Sequence, residues 1–103
     1  MRLLYAALLL SLLTAACTAT RAEQHTVRGV LLEVRTASIT KLDGFRLRAD
    51  DGRELTFVGN DKLGQDLESS PGHLRGHMAR VDHVTVTYHE TGDGLVADRV
   101  QDS

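Results

Sequence analysis

The sequence predicts an all-β domain, a small β-barrel of five strands with one short helix between the third and fourth strands. Three observations predict it. Polar and apolar residues alternate along 45–57 and again along 84–88, with the period of two that a half-buried strand requires. A long apolar segment interrupted by Gly29 precedes them, which is typical of a strand that bends. Between these regions, Ser70 and Pro71 form a helix start signal.

The first residues of the chain predict a signal peptide. Arg2 provides a positive charge, and an apolar run over 3–13 with a single serine follows it. This run is too short to span a bilayer, which needs about 20 apolar residues, and it fits the apolar part of a secretory signal peptide. We therefore expect three parts: a signal peptide at 1–16, a lipidated cysteine and tether at 17–24, and a folded domain at 25–103.

Small residues precede Cys17, the only cysteine of the sequence. This segment resembles the lipobox of bacterial lipoproteins, whose cysteine is lipidated and becomes the mature N-terminus. The resemblance implies that Cys17 anchors the protein to a membrane of the cell envelope. With Thr18 in place of Asp after the cysteine, it implies the outer membrane, facing the periplasm, in a Gram-negative host, and the outer face of the cell membrane in a Gram-positive one. Thr14 departs from the family pattern, where Leu is usual. The alternative is an ordinary signal peptide cleaved after Ala19 or Ala22.

The first strand of the folded domain is predicted over 26–36. Its middle is apolar on both faces, as in a long strand shared between two parts of a closed sheet. Gly29 interrupts the pattern and indicates a bulge or a sharp bend. The alternative is that the glycine is simply tolerated there.

A β-hairpin is predicted over 45–57. Its three-residue loop, Asp50-Asp51-Gly52, suits a type I turn followed by a bulge. A register slipped by one residue would pair apolar with polar side chains. The register that this loop sets pairs Phe45 with Phe57, Arg46 with Thr56, Leu47 with Leu55, and Arg48 with Glu54. All apolar side chains then share one face of the hairpin.

The segment after the hairpin is a polar loop over 60–70, in which a short helical turn at 61–67 is possible. Ser70 then caps a helix that starts at Pro71. Leu74 and Met78, four residues apart, predict its apolar stripe.

Two more strands complete the domain. The first covers 84–88 with a clean period of two, and a turn at 91–94 leads to the last strand over 95–100. The facing of this last strand is ambiguous, because Leu95 and Ala97 compete with Val96 and Val100 for the core.

Three strands, a helix and two strands are the element order of the OB-fold, a five-stranded Greek-key barrel. Over about 26–100 the chain resembles the small exported OB-like proteins and lipoproteins of bacteria. The alternatives are another small barrel or a sandwich of two sheets. In OB-folds the first three strands often form the ligand face, so the resemblance implies a ligand site there.

The outer face of the predicted hairpin carries the first candidate site. Arg46, Arg48 and Thr56 would contact a small anionic ligand or an envelope protein. The alternative is a solvated charged face, since Glu54 lies opposite Arg48. Nucleic acid is excluded as a partner, because the net charge is −2 and the aromatic residues of the folded domain fall on core positions.

The second candidate site is a pair of histidines on the predicted helix. His73 and His77 are four residues apart and can share one helix face, a spacing that binds a divalent metal when a third ligand comes from elsewhere. The adjacent Met78 suggests copper, but it lies on the stripe with Leu74. No Glu lies between the histidines as in the helix of a zinc protease. The alternative is that His73 flanks the helix and His77 packs at its edge.

No catalytic signature is present, neither a nucleophile elbow nor a phosphate-binding glycine loop. We therefore expect a membrane-anchored, non-enzymatic binding or interaction module that needs no cofactor. The second hypothesis is an exported metal-binding protein for zinc or copper that uses His73 and His77. A small hydrolase with an unrecognised site ranks third.

Overall fold

The computed structural model describes residues 23–38, 41–59 and 61–103. The predicted signal peptide at 1–16, Cys17 and the part of the predicted tether up to residue 22 lie outside the described residues. The elements in chain order are β1 (Gln24–Thr36), β2 (Leu42–Ala49), β3 (Glu54–Val58), α1 (Asp61–Gln65), α2 (Pro71–Arg80), β4 (His83–Thr91) and β5 (Gly94–Asp102). Within the described ranges, no helix is long and apolar enough to cross a membrane.

The strands form a closed barrel in the order β1-β2-β3-β5-β4, with β1 pairing also with β4. All neighbouring pairs are antiparallel except β3 and β5, which run parallel. The predicted five-stranded OB-like barrel is confirmed. Between β3 and β4 the chain forms the predicted helix, α2, and also the short turn of helix that the polar loop allowed, α1.

The predicted hairpin is confirmed in register. β2 and β3 pair Phe45 with Phe57, Arg46 with Thr56, Leu47 with Leu55, and Arg48 with Glu54. Phe45 and Phe57 are fully buried, with ring centroids 5.0 Å apart, and the Tyr88 ring packs on Phe57 at 5.1 Å. Full burial of such a side chain contributes about 1.5–3 kcal/mol to stability, so these rings form the centre of the core.

Gly29 lies where β1 passes from one neighbour to the other, pairing with Ala49 of β2 and with Val84 of β4. A Cβ atom at this position would overlap the carbonyl oxygen of Arg48. The glycine is therefore required by the close approach of two backbones. The nearer of the two irregularities in the β1–β2 ladder lies three residues further on, where Leu32 is skipped between Leu31 and Glu33.

The ambiguity of the last strand is resolved by a bulge. Ala97 and Val100 of β5 are both fully buried although they are three residues apart. The pairing with β4 shifts between Thr87 and Tyr88, which leaves Asp98 as an extra residue. An extra residue inverts the alternation of inward and outward side chains. Leu95 and Ala97 therefore face the core before the bulge, and Val100 faces it after the bulge.

The barrel has a short seam between β3 and β5, which share only two residue pairs, Phe57 with Leu95 and Val58 with Val96. Further along β5, where β3 no longer pairs with it, the side chain of Ser69 hydrogen-bonds to the β5 backbone. Its hydroxyl donates to the Val100 carbonyl oxygen at 3.1 Å and accepts from the Val100 N–H at 3.2 Å. Both residues are fully buried, so the loop between α1 and α2 completes the barrel wall.

Candidate functional site

Helix α2 forms because a side chain caps its first turn and one of its faces is buried. The Ser70 hydroxyl accepts a hydrogen bond from the His73 N–H at 3.4 Å, and Pro71 occupies the first turn. The buried residues are Pro71, Leu74 and His77. The predicted stripe of Leu74 and Met78 is therefore only partly correct, because Met78 packs against the core while partly exposed and His77 takes the more buried position.

Two histidines of α2 and one carboxylate of β5 converge at the end of the barrel. The Nε2 atoms of His73 and His77 lie 3.0 Å apart. The Oδ1 atom of Asp102 lies 2.6 Å from the Nε2 atom of His77 and 3.2 Å from that of His73. The two imidazole rings are nearly perpendicular, with centroids 4.6 Å apart. We call these three residues the His–Asp cluster.

The three converging atoms of the His–Asp cluster are ligand atoms that zinc prefers, two imidazole nitrogens and a carboxylate oxygen. Tetrahedral coordination with bonds of about 2.0–2.1 Å separates neighbouring ligand atoms by about 3.3 Å. The observed separations are 2.6, 3.0 and 3.2 Å, which are shorter than that value by about 0.1 to 0.7 Å. A cation could accept a lone pair from each of these three atoms at once. Protons on the two nitrogens could form hydrogen bonds across only two of the three contacts.

A second carboxylate holds the back of the His77 ring. The Oδ2 atom of Asp82 lies 3.1 Å from His77 Nδ1 and accepts a hydrogen bond from Arg80 Nε at 2.7 Å. Hydrogen bonds from Arg80 and then from His77 lower the pKa of Asp82. Those from His73 and His77 lower the pKa of Asp102. Both carboxyl groups therefore favour the ionised form that a metal ligand or its supporting acceptor needs.

The His–Asp cluster is buried on one side and open on the other. The His77 side chain is 7% exposed, that of His73 36% and that of Asp102 60%. The cluster thus has a fixed inner ligand and two outer ligands that solvent can reach. It also links α2 to the end of β5, two elements that are far apart in sequence.

The first candidate site lies on the outer face of β2 and β3. Arg46 and Arg48 are about half exposed, and both pair with Glu54 at 3.6–3.8 Å. Arg46 also lies 3.6 Å from Glu33 of β1. Thr56 is exposed on the same face. Because the guanidinium groups already have carboxylate partners, this face has less free positive charge than the sequence suggests, and a ligand at these three residues stays a prediction.

Two further histidines, both on β4, each contact one carboxylate. His83 Nε2 lies 3.3 Å from Asp50, and His89 Nδ1 lies 2.7 Å from Asp98, the bulge residue. Among the residues that the structure describes, the His–Asp cluster is the one group of three or more such side chains placed to hold a metal ion.

The sequence indicated two of the three cluster residues. The spacing of His73 and His77 placed them on one helix face, but nothing in the local pattern marked Asp102 or Asp82. Asp102 joins the cluster through the pairing of β5 with β4, and Asp82 through the turn that ends α2. The proximity of Asp82 to His77 in sequence was the one available signal, since a chain reversal after a helix brings such residues together.

No family model matches the chain, and no curated protein matches it. The fold and the His–Asp cluster define the class of the protein: an OB-like barrel with a candidate metal centre where its longer helix meets the last strand. What this centre can do follows from its donor atoms and from its exposure.

Proposed function

We propose that this protein is a lipid-anchored, non-enzymatic binding protein of the cell envelope that holds one divalent transition-metal ion, zinc in particular, in the His–Asp cluster. The observation behind this proposal is the convergence of His73 Nε2, His77 Nε2 and Asp102 Oδ1 within 3.2 Å of one another. The ligand of the binding module, which the sequence left unnamed, is then a metal ion.

The donor set favours zinc or Cu(II) over Cu(I). Cu(I) selects thioether and thiolate sulfur, and the thioether of Met78 belongs to the side chain that packs against the core. Two imidazoles and a carboxylate are a zinc set. The Nδ1 contact of His77 with Asp82 adds the carboxylate that usually supports a metal-bound histidine.

Three protein ligands leave a fourth tetrahedral position for water or for a ligand of another molecule. This position is on the side of His73 and Asp102, the two exposed members of the cluster. Such a centre favours reversible uptake and release of the ion over permanent structural binding. This fits a protein whose proposed place is an envelope membrane, where metal ions arrive from outside the cell.

The membrane anchor is proposed from the sequence. An apolar run over 3–13, small residues before Cys17, and the absence of a second cysteine all favour lipidation of that thiol. Two or more acyl chains would hold the barrel at the membrane surface stably, whereas one chain alone binds marginally.

Isothermal titration calorimetry of the full-length protein with zinc and with Cu(II) tests the metal proposal. A Cys17→Ser background removes the thiol as a competing ligand. We expect one zinc ion per chain, and no binding in the His73→Ala, His77→Ala double variant.

The matched control is the His83→Ala, His89→Ala double variant. It removes two histidines that also contact carboxylates but lie outside the cluster, and it should bind zinc like the parent protein. Equal affinity of the two double variants would contradict the assignment of the site.

A further inference from the structure

Helix α2 ends in an unusual way. Val81, the residue after Arg80, has φ 58° and ψ 36°, the left-handed conformation. Helices often end in this conformation, but usually at glycine or asparagine, because a β-branched side chain is crowded there. Val81 is 66% exposed, so burial of its side chain does not offset the crowding. A strained residue without a packing reason indicates that the turn itself is needed.

The turn at Val81 folds the chain back over the last turn of α2. The Val81 N–H donates to the Met78 carbonyl at 3.2 Å, and the Asp82 N–H donates to the His77 carbonyl at 2.9 Å. This pair of bonds fixes the backbone of Asp82 directly beside His77. The Asp82 carboxylate consequently reaches the Nδ1 atom of that histidine, at 3.1 Å.

We propose that Asp82 is a positioning residue of the metal centre, whose carboxylate accepts the Nδ1 proton of His77 and directs the Nε2 lone pair at the ion. This inference rests on the proposed function. It assigns Asp82 a role without direct contact with the ion, so its contribution is to fix the ring and its tautomer. Nε2 of a neutral imidazole can bind a metal only when the proton is on Nδ1.

Arg80 holds the Asp82 carboxylate behind the His77 ring. Arg80 Nε donates to Asp82 Oδ2 at 2.7 Å and keeps that carboxylate in place. Arg80 Nη2 also lies 3.5 Å from His77 Nδ1, a contact that would require Nδ1 to accept. The carboxylate contact at 3.1 Å is shorter. The Nε2 atom of His77 also faces a carboxylate, the Oδ1 atom of Asp102, at 2.6 Å. An ion bound at Nε2 would leave the single proton of the neutral ring on Nδ1, where the Asp82 carboxylate can accept it.

An ion pair between Asp82 and Arg80 with only a structural purpose would not need this arrangement. Such a pair is half exposed and contributes little to stability. It also does not account for the crowded backbone at Val81. The position of the carboxylate behind a ring whose other nitrogen points into the His–Asp cluster accounts for both.

The test measures zinc affinity and the Nδ1 hydrogen bond of His77 together in the full-length protein. In Asp82→Asn, zinc affinity should fall by about 10- to 100-fold, the usual effect of losing such a partner. Nitrogen-15 NMR of the zinc-bound protein should show a hydrogen-bonded Nδ1–H at His77 in the wild type and a weaker Nδ1 hydrogen bond in the variant. The matched control is Asp66→Asn, an exposed acid on the loop between α1 and α2, which should change neither.

The outcomes separate this inference from the proposed function. Unchanged zinc affinity in Asp82→Asn, with the wild type binding normally, would overturn the positioning role and leave the metal centre intact. No zinc binding by the wild type would overturn both. A purely structural Asp82 would lower the unfolding midpoint in Asp82→Asn without any change in the Nδ1 hydrogen bond of zinc-bound His77, and this result would also contradict the proposal.

Discussion

Replacing Ser69 with alanine tests how the barrel is closed. The Ser69 hydroxyl both donates to and accepts from the backbone of Val100, at 3.1 and 3.2 Å. Alanine removes one oxygen atom and leaves the N–H and the C=O of Val100 without this partner. Water cannot readily replace it, because both residues are fully buried. We therefore expect a loss of stability that is large for so small a change.

The size of the loss follows from these two groups. Leaving a buried donor or acceptor unsatisfied costs about 1–3 kcal/mol, so the two backbone groups together cost about 2–6 kcal/mol. A domain of this size has a free energy of unfolding of about 4–12 kcal/mol. The variant should therefore lose a large share of its stability, with an unfolding midpoint lower by roughly 4–8 °C for each kcal/mol lost.

The neighbouring serine is the matched control. Ser70 caps α2 from a half-exposed position, and its replacement by alanine should cost only about 1 kcal/mol. Thermal and urea unfolding of Ser69→Ala and Ser70→Ala give the comparison, and hydrogen exchange at the Val100 amide locates the effect. If Ser69→Ala were no less stable than Ser70→Ala, or if the Val100 amide kept its protection, the account of the seam would be wrong.

Three further predictions concern the backbone, the metal and the anchor. Gly29→Ala should lower the free energy of unfolding by about 1–3 kcal/mol, because its Cβ overlaps the neighbouring strand. Gly72→Ala has open space at its Cβ and should raise the free energy of unfolding by up to about 1 kcal/mol. If urea unfolding ranked the two variants the other way, the strand pairing would be contradicted. Zinc at 100 times its Kd should stabilise the wild type by about 2.7 kcal/mol in calorimetric scans, and an equal gain in His73→Ala would count against the site. Cys17→Ser should move the protein out of the membrane fraction and remove the mass of the acyl chains in mass spectrometry; an unchanged fraction and mass would refute lipidation.

The alternation of residues was sufficient to predict the hairpin register. Phe45 and Phe57 can share the core in only one of two phases, because a shift by one residue turns a whole strand inside out. The short loop that ends in Gly52 then fixes which residues of the two strands are paired. Gly52 has a φ of 93°, which glycine readily adopts. Local pattern and local turn thus agree, and the structure has the same register.

The last strand contains a bulge that the alternation of residues does not predict. Both phases of β5 are used, since Ala97 and Val100 are buried on either side of the bulge at Asp98. A bulge depends on how two strands meet, and the strand that meets β5 here is separated from it by a turn whose geometry the alternation does not specify. The same limit applies to Asp102, which reaches the histidines only once β5 lies beside β4.

The His–Asp cluster joins residues that are far apart in the sequence. His73 and His77 are on α2, but Asp102 is near the end of the final strand of the barrel. A chain whose β5 has not yet docked offers only two of the three ligands, and two histidines on one helix bind zinc far more weakly than a complete set. Tight binding of an ion at the His–Asp cluster would therefore require that β5 has already paired with β4.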